Sequence, residues 1–125
     1  MKANWLMNTR EKGLLGEDQA IKVLAKRGYK ILERNHTNRF GEIDVVAEEG
    51  GCLVFVEVKK RNTGQFGDAL AAITKTKQRH MVKSALWYMK KHRCFDRSVR
   101  FDAVGLDGDQ VKIVKNAFLV EDNGR

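Results

Sequence analysis

Apolar residues near the start of the chain recur at helical spacing. Leu14, Ile21 and Leu24, with Ala20 and Ala25 beside them, form one stripe and predict a helix from Arg10 to Arg27. Gly28 is its C-cap candidate. Tyr29 to Arg34 reads as a short strand, and Asn35 to Phe40 as a polar loop. Two β-branched, apolar runs follow, Gly41 to Ala47 and Leu53 to Lys59, joined through Gly50-Gly51. After a loop containing Gly64 and Gly67, a helical turn is expected over Ala69 to Ile73. Thr74 then N-caps a long helix reaching Lys91, with Met81, Val82, Ala85, Leu86 and Met89 on its apolar face. Val99 to Leu106 and Val111 to Leu119 read as strands around Asp107-Gly108-Asp109.

The Gly50-Gly51 turn fixes a register, because both glycines accept positive φ. Counting outward, Val46 opposes Phe55, Asp44 opposes Glu57 and Glu42 opposes Lys59. Glu57 and Lys59 share a face through the period-two alternation of a strand. Asp44, Glu57 and Lys59 are therefore expected on one surface. Opposed carboxylates roughly 5 Å apart destabilise a sheet. Their repulsion is about 3 kcal/mol at an effective dielectric near 20. A divalent cation between them removes the conflict. The structural alternative is a Glu57–Lys59 salt bridge with Asp44 at an exposed strand end, and Glu42 is a competing partner for Lys59. Two further polar residues extend apolar stripes. Glu17 lies between Leu14 and Ile21, and Gln78 lies one turn before Met81 and Val82. A carboxylate facing a core needs a partner or a cation. The alternative for both is a helix end where the stripe meets water.

Composition narrows the partners. The chain has 125 residues, with 24 Lys and Arg against 16 Asp and Glu, a net charge of +8. One domain is expected over residues 10–119, with tails at 1–9 and 120–125. The positive excess points to a polyanion, most simply nucleic acid, and no long apolar run suggests a membrane. Cys52 and Cys94 lack CxxC spacing, the three histidines are dispersed, and no signal peptide is evident. A cytoplasmic protein without zinc is the expectation.

Asp44 followed by Glu57-Val58-Lys59 on the next strand resembles the PD-(D/E)XK nuclease signature. The leading proline of that signature is Ile43 here. Around it lie Gly16-Glu17-Asp18, Gly41-Glu42-Ile43-Asp44, Phe55 to Arg61, Lys77-Gln78-Arg79 and Arg100-Phe101-Asp102, in that order. From about Gly13 to Val104 the chain is similar to the YraN-like family of uncharacterised bacterial proteins. The resemblance implies an α/β restriction endonuclease-like core, a mixed β-sheet flanked by helices in the order helix, three strands, helix, strands. It also implies kinship with Holliday junction resolvases, which work as two-fold homodimers.

On that resemblance, Asp44 and Glu57 would hold Mg²⁺ or Mn²⁺ with the Val58 carbonyl, and Glu17 would be an outer ligand. Lys59 would orient or deprotonate the attacking water, and Gln78 would bond that water or the phosphate. Arg34, Arg39, Lys60, Arg61, Lys75, Lys77 and Arg79 border the site and would grip the backbone of DNA, or of RNA. Lys83, Lys90, Lys91 and Arg93 read as a solvated face, and Asp102 as the partner of a nearby arginine. The expected activity is endonucleolytic hydrolysis of DNA phosphodiesters, with branched or single-stranded DNA as substrate. The alternative is a non-catalytic nucleic-acid-binding protein that keeps the fold.

Overall fold

The computed structural model describes residues 9–61, 73–108 and 110–120, with side chains from Gly16 onward and without that of Arg61. Helix α1 (Thr9–Lys26) leads into strands β1 (Lys30–Asn38), β2 (Gly41–Glu49) and β3 (Cys52–Arg61). Helix α2 (Lys75–Lys91) then crosses to β4 (Val99–Asp107), and β5 (Gln110–Val114) closes the sheet. The five strands lie in sequence order, antiparallel except for the parallel β3–β4 pair. This mixed α/β sheet with its helix–strands–helix–strands order is the architecture expected from the sequence.

Each helix covers one face of the sheet. Ala20 and Leu24 of α1 pack with Val45, Ala47, Val54, Val56, Val104 and Leu106. Met81, Ala85, Tyr88 and Met89 of α2 pack with Ile43, Val46, Leu53, Phe55 and Phe101. The hairpin turn is as read: Gly50 and Gly51 have φ of 58° and 81°, and Val46 pairs with Phe55. Thr74 caps α2, its Oγ1 accepting from Lys77 N–H at 3.1 Å.

Two elements differ from expectation. The supposed polar loop Asn35 to Phe40 is largely strand, since β1 continues to Asn38. Its polarity conceals a pairing: His36 opposes Ile43 and buries its ring beside Trp87 and Tyr88. At the other end, β5 stops at Val114. Asn116 turns the chain at φ 54° and donates its N–H to Asp102 at 3.0 Å, so Phe118 stacks back on Phe101. The helical turn expected over Ala69 to Ile73 lies outside the described residues except for Ile73.

Asp102 is the arginine partner foreseen, and it anchors more than one element. Fully buried, it accepts from Tyr29 Oη at 2.7 Å and from Arg100 Nε at 2.9 Å and Nη2 at 3.0 Å. Arg100 also bonds Glu49 at 2.8 Å, which ties β4 to the hairpin end of β2. An Asp102→Ala substitution leaves buried donors without an acceptor. The expected loss is about 3–5 kcal/mol of stability in urea unfolding, and a loss under about 1 kcal/mol would contradict that role.

Candidate functional site

The site begins where β2 stops pairing with β3. Ladder pairs run from Glu49↔Cys52 to Val45↔Val56 and no further. Ile43 faces α2 whereas Val45 faces α1, so the alternation of β2 breaks at Asp44. The neighbouring strand keeps its register from Arg34↔Val45 to His36↔Ile43, its one shift lying earlier, between Ile31 and Glu33, but Asn35, opposite Asp44, has φ 53°. Asn tolerates that left-handed conformation better than most residues.

The opening exposes main-chain groups of β3. Leu53 N–H bonds Ser98 on the β4 side, so by alternation the Val58 N–H points toward β2. It donates to Asp44 Oδ2 at 2.7 Å instead of to a β2 carbonyl. A residue's N–H and C=O leave an extended strand on the same edge, so the Val58 carbonyl faces the same opening. Asp44 thus lies in the plane of the sheet, held by a main-chain donor.

Glu57 follows Phe55 on the α2 face and is buried. Its Oε2 accepts from Lys77 Nζ at 3.0 Å, an ion pair across to the start of α2. The Glu57 carboxylate lies close enough to Asp44 to disfavour its anion. Burial first, and then the Glu57 charge, push the Asp44 carboxyl up to about 7; the Val58 N–H and Lys77 pull the other way. On the α1 side a cavity of about 150 Å³ reaches Asp44, lined by Gly16, Glu17, Val58, Lys60 and Leu106. That is room for several waters.

The profile of the uncharacterised protein family UPF0102 matches residues 16–106. The chain belongs to this family. A UPF0102 protein of Fusobacterium nucleatum is 42% identical over 110 residues, spanning 88% of this chain and 92% of that one. One of Sulfurihydrogenibium is 41% identical over 115 residues, spanning 92% and 100%. Another, of Legionella pneumophila, is 42% identical over 113 residues, spanning 88% and 96%. The matched region of this UPF0102 protein holds the hairpin, both carboxylates and α2.

The structure brings some sequence-selected residues together and separates others. Asp44, Glu57 and Val58 meet, and Glu17 and Lys60 line the adjoining cavity. Lys59 lies half-buried on the Glu57 face and has no ion-pair partner among the described residues. Glu42 is exposed and opposes Thr37 of β1, outside the β2–β3 ladder. Gln78 turns away: its Nε2 donates to the Ile73 carbonyl at 3.1 Å, and it lines a different cavity with Lys75, Arg79 and Phe118. Arg34 pairs with Asp18 at 2.7 Å and approaches Glu17 at 4.0 Å. Arg39 lies over the Phe40 ring, and the Arg61 side chain is outside the described residues.

Sequence reasoning places Lys77 on the phosphate-gripping rim and does not foresee its ion pair with Glu57. The signal lay in its spacing. Three residues after the Thr74 N-cap, it stands on the first turn of a helix packed against the Glu57 face.

Two oxygen-bearing side chains and a main-chain carbonyl suit a hard cation. Among the described residues no group of three or more His, Cys, Asp and Glu could hold a metal. A cation here would have two carboxylates from the protein and would take most of its remaining ligands from water, a set of the kind Mg²⁺ accepts. Without a cation the pair costs stability. An acid that holds its proton more tightly folded than unfolded loses stability as pH rises between the two pKa values, here from near 3.8 to about 7. Asp44→Asn keeps an acceptor for the Val58 N–H and removes the charge. In EDTA at pH 8 this variant should melt several degrees above wild type, the gain closing toward pH 4. A variant that melts below wild type at pH 8 contradicts the account.

Proposed function

We propose that this UPF0102 protein is a metal-dependent phosphodiesterase acting on DNA, with Asp44 and Glu57 as its cation ligands. The observation that supports this most is the adjacency of the two carboxylates at a deliberate gap in the sheet. Val58 N–H positions one and Lys77 the other. A hairpin that served only the core would have closed there with two apolar residues.

A bound Mg²⁺ or Mn²⁺ supplies Lewis-acid polarisation of the scissile phosphate and a water of lowered pKa. Every other part of the chemistry falls to the chain. Asp44, Glu57 and the Val58 carbonyl would hold the cation, and Glu17 would orient a water in the cavity below. Lys77 fixes Glu57, so that carboxylate has little freedom left to lose when substrate arrives. Lys59, on the Glu57 face, orients the attacking water and balances charge that builds on the phosphate. Lys60, at the cavity wall, and Lys75 and Arg79, exposed on the first turns of α2, meet flanking phosphates. Such contacts bind backbone without reading bases.

The test is a cleavage panel of linear, single-stranded, flap and four-way-junction DNAs with Mg²⁺ or Mn²⁺. Cleavage of at least one form is expected, abolished by EDTA and reduced at least a hundredfold by Asp44→Asn, which should leave DNA binding in place. Metal-dependent cleavage that survives Asp44→Asn rejects the site. Binding without cleavage across the whole panel supports the non-catalytic alternative.

A further inference from the structure

A second surface lies along the C-terminal half of α2, beyond Lys77. It is a groove of about 860 Å³ between that helix, the β1–β2 turn and the chain after α2. Five cations line it: Arg39, Lys83, Lys90, Lys91 and Arg93. Three aromatic rings lie among them, Phe40, Trp87 and Phe95, and no carboxylate is among the described residues that line the groove. Phe95 is 59% exposed and Phe40 37%. Phe95 leaves more than half of its surface open to solvent beside those cations.

The local backbone keeps this arrangement. Helix α2 ends in a Schellman-type turn, with Cys94 N–H on the Met89 carbonyl at 3.0 Å and Arg93 N–H on that of Lys90 at 3.3 Å. Arg93 holds the left-handed position of that turn, at φ 53°, where glycine is usual. The strain is accepted by a residue that places one more cation at the groove. Guanidinium and ammonium groups already sit over two of the rings: Arg39 at 5.3 Å from the Phe40 centroid, and Lys91 at 5.3 Å from that of Trp87.

We infer that this groove binds single-stranded nucleic acid, its rings stacking unpaired bases while its cations pair with the phosphates between them. Lys83 to Lys91 span roughly 12 Å of helix, room for a short run of nucleotides. Charge and ring together select the occupant. A duplex presents phosphates and hides the faces of its bases, so it would use the cations alone. An unpaired strand uses both, and stacking tolerates any base. The inference is independent of cleavage, because none of these residues belongs to the Asp44 site.

Fluorescence anisotropy of a labelled 15-nucleotide oligo-dT tests it, with the full chain and with EDTA present throughout. A cleavage-inactive protein therefore still reports on the groove. The double variant Phe40→Ala/Phe95→Ala should lose about tenfold or more in affinity, with an unchanged melting temperature and little change for a duplex of equal length. Lys83→Gln/Lys90→Gln should lower the slope of log affinity against log salt by about 1.4. Oligo-dT binding by the phenylalanine variant equal to wild type overturns the inference. So does equal weakening of strand and duplex. If that variant instead only breaks up a dimer in sedimentation velocity, the groove belongs to a second copy of the chain and the inference also falls.

Discussion

The Val58 N–H that finds a carboxylate where a β2 carbonyl should be is the contact on which the candidate site depends. A strand pair stays closed while each inward N–H meets a main-chain acceptor. Here one is met at 2.7 Å by Asp44 Oδ2 instead. Asp44 is thereby fixed in the plane of the sheet, beside Glu57, and the Val58 carbonyl is left facing the same opening. The break in side-chain alternation at Asp44 and the left-handed Asn35 opposite are parts of one local distortion. Remove it, and the sheet closes over the place where a cation and a phosphate would enter.

That distortion has an energetic cost, and the fold meets it with charge. Lys77 reaches Glu57 from the second helix, so the pair of acids is not left uncompensated in a buried setting. Asp44 keeps its proton to about neutral pH because burial and Glu57 both disfavour its anion. Among the described residues, Ser84 Oγ and Asp107 Oδ2 are buried side-chain atoms without a hydrogen-bond partner. The contrast is plain at Asp102, another buried acid, which is surrounded by donors from Tyr29, Arg100 and Asn116. One acid is saturated by the protein, and the other is left with acceptor capacity and a cavity. A site held ready for a ligand at some expense of stability looks like the second.

Much of this was legible in the chain before any coordinates. Two glycines in a turn set the β2–β3 register, and counting from them brought Asp44 near Glu57, although the ladder stops one pair short of the direct opposition expected. Thr74 marked the start of α2 to the residue. What was not legible depended on contacts between elements far apart in sequence. The polar second half of β1, from Asn35, looked like a loop, because its pairing with β2 and the burial of His36 are tertiary facts. No local rule says which lysine of a helix reaches a strand, so Lys77 read as rim while Lys59 took its place beside Glu57. Gln78 read as a site residue because its stripe position was visible and its bond to Ile73 was not. The groove was invisible for the same reason: Phe40 and Phe95 belong to separate turns, and only the fold sets them beside α2.

The account rests on a cation seated between two acids, and crystallography can observe that directly. Crystals soaked in Mn²⁺ should give an anomalous peak between the Asp44 and Glu57 carboxylates, within coordination distance of the Val58 carbonyl. Full Mn²⁺ exposure with no peak there would contradict the account.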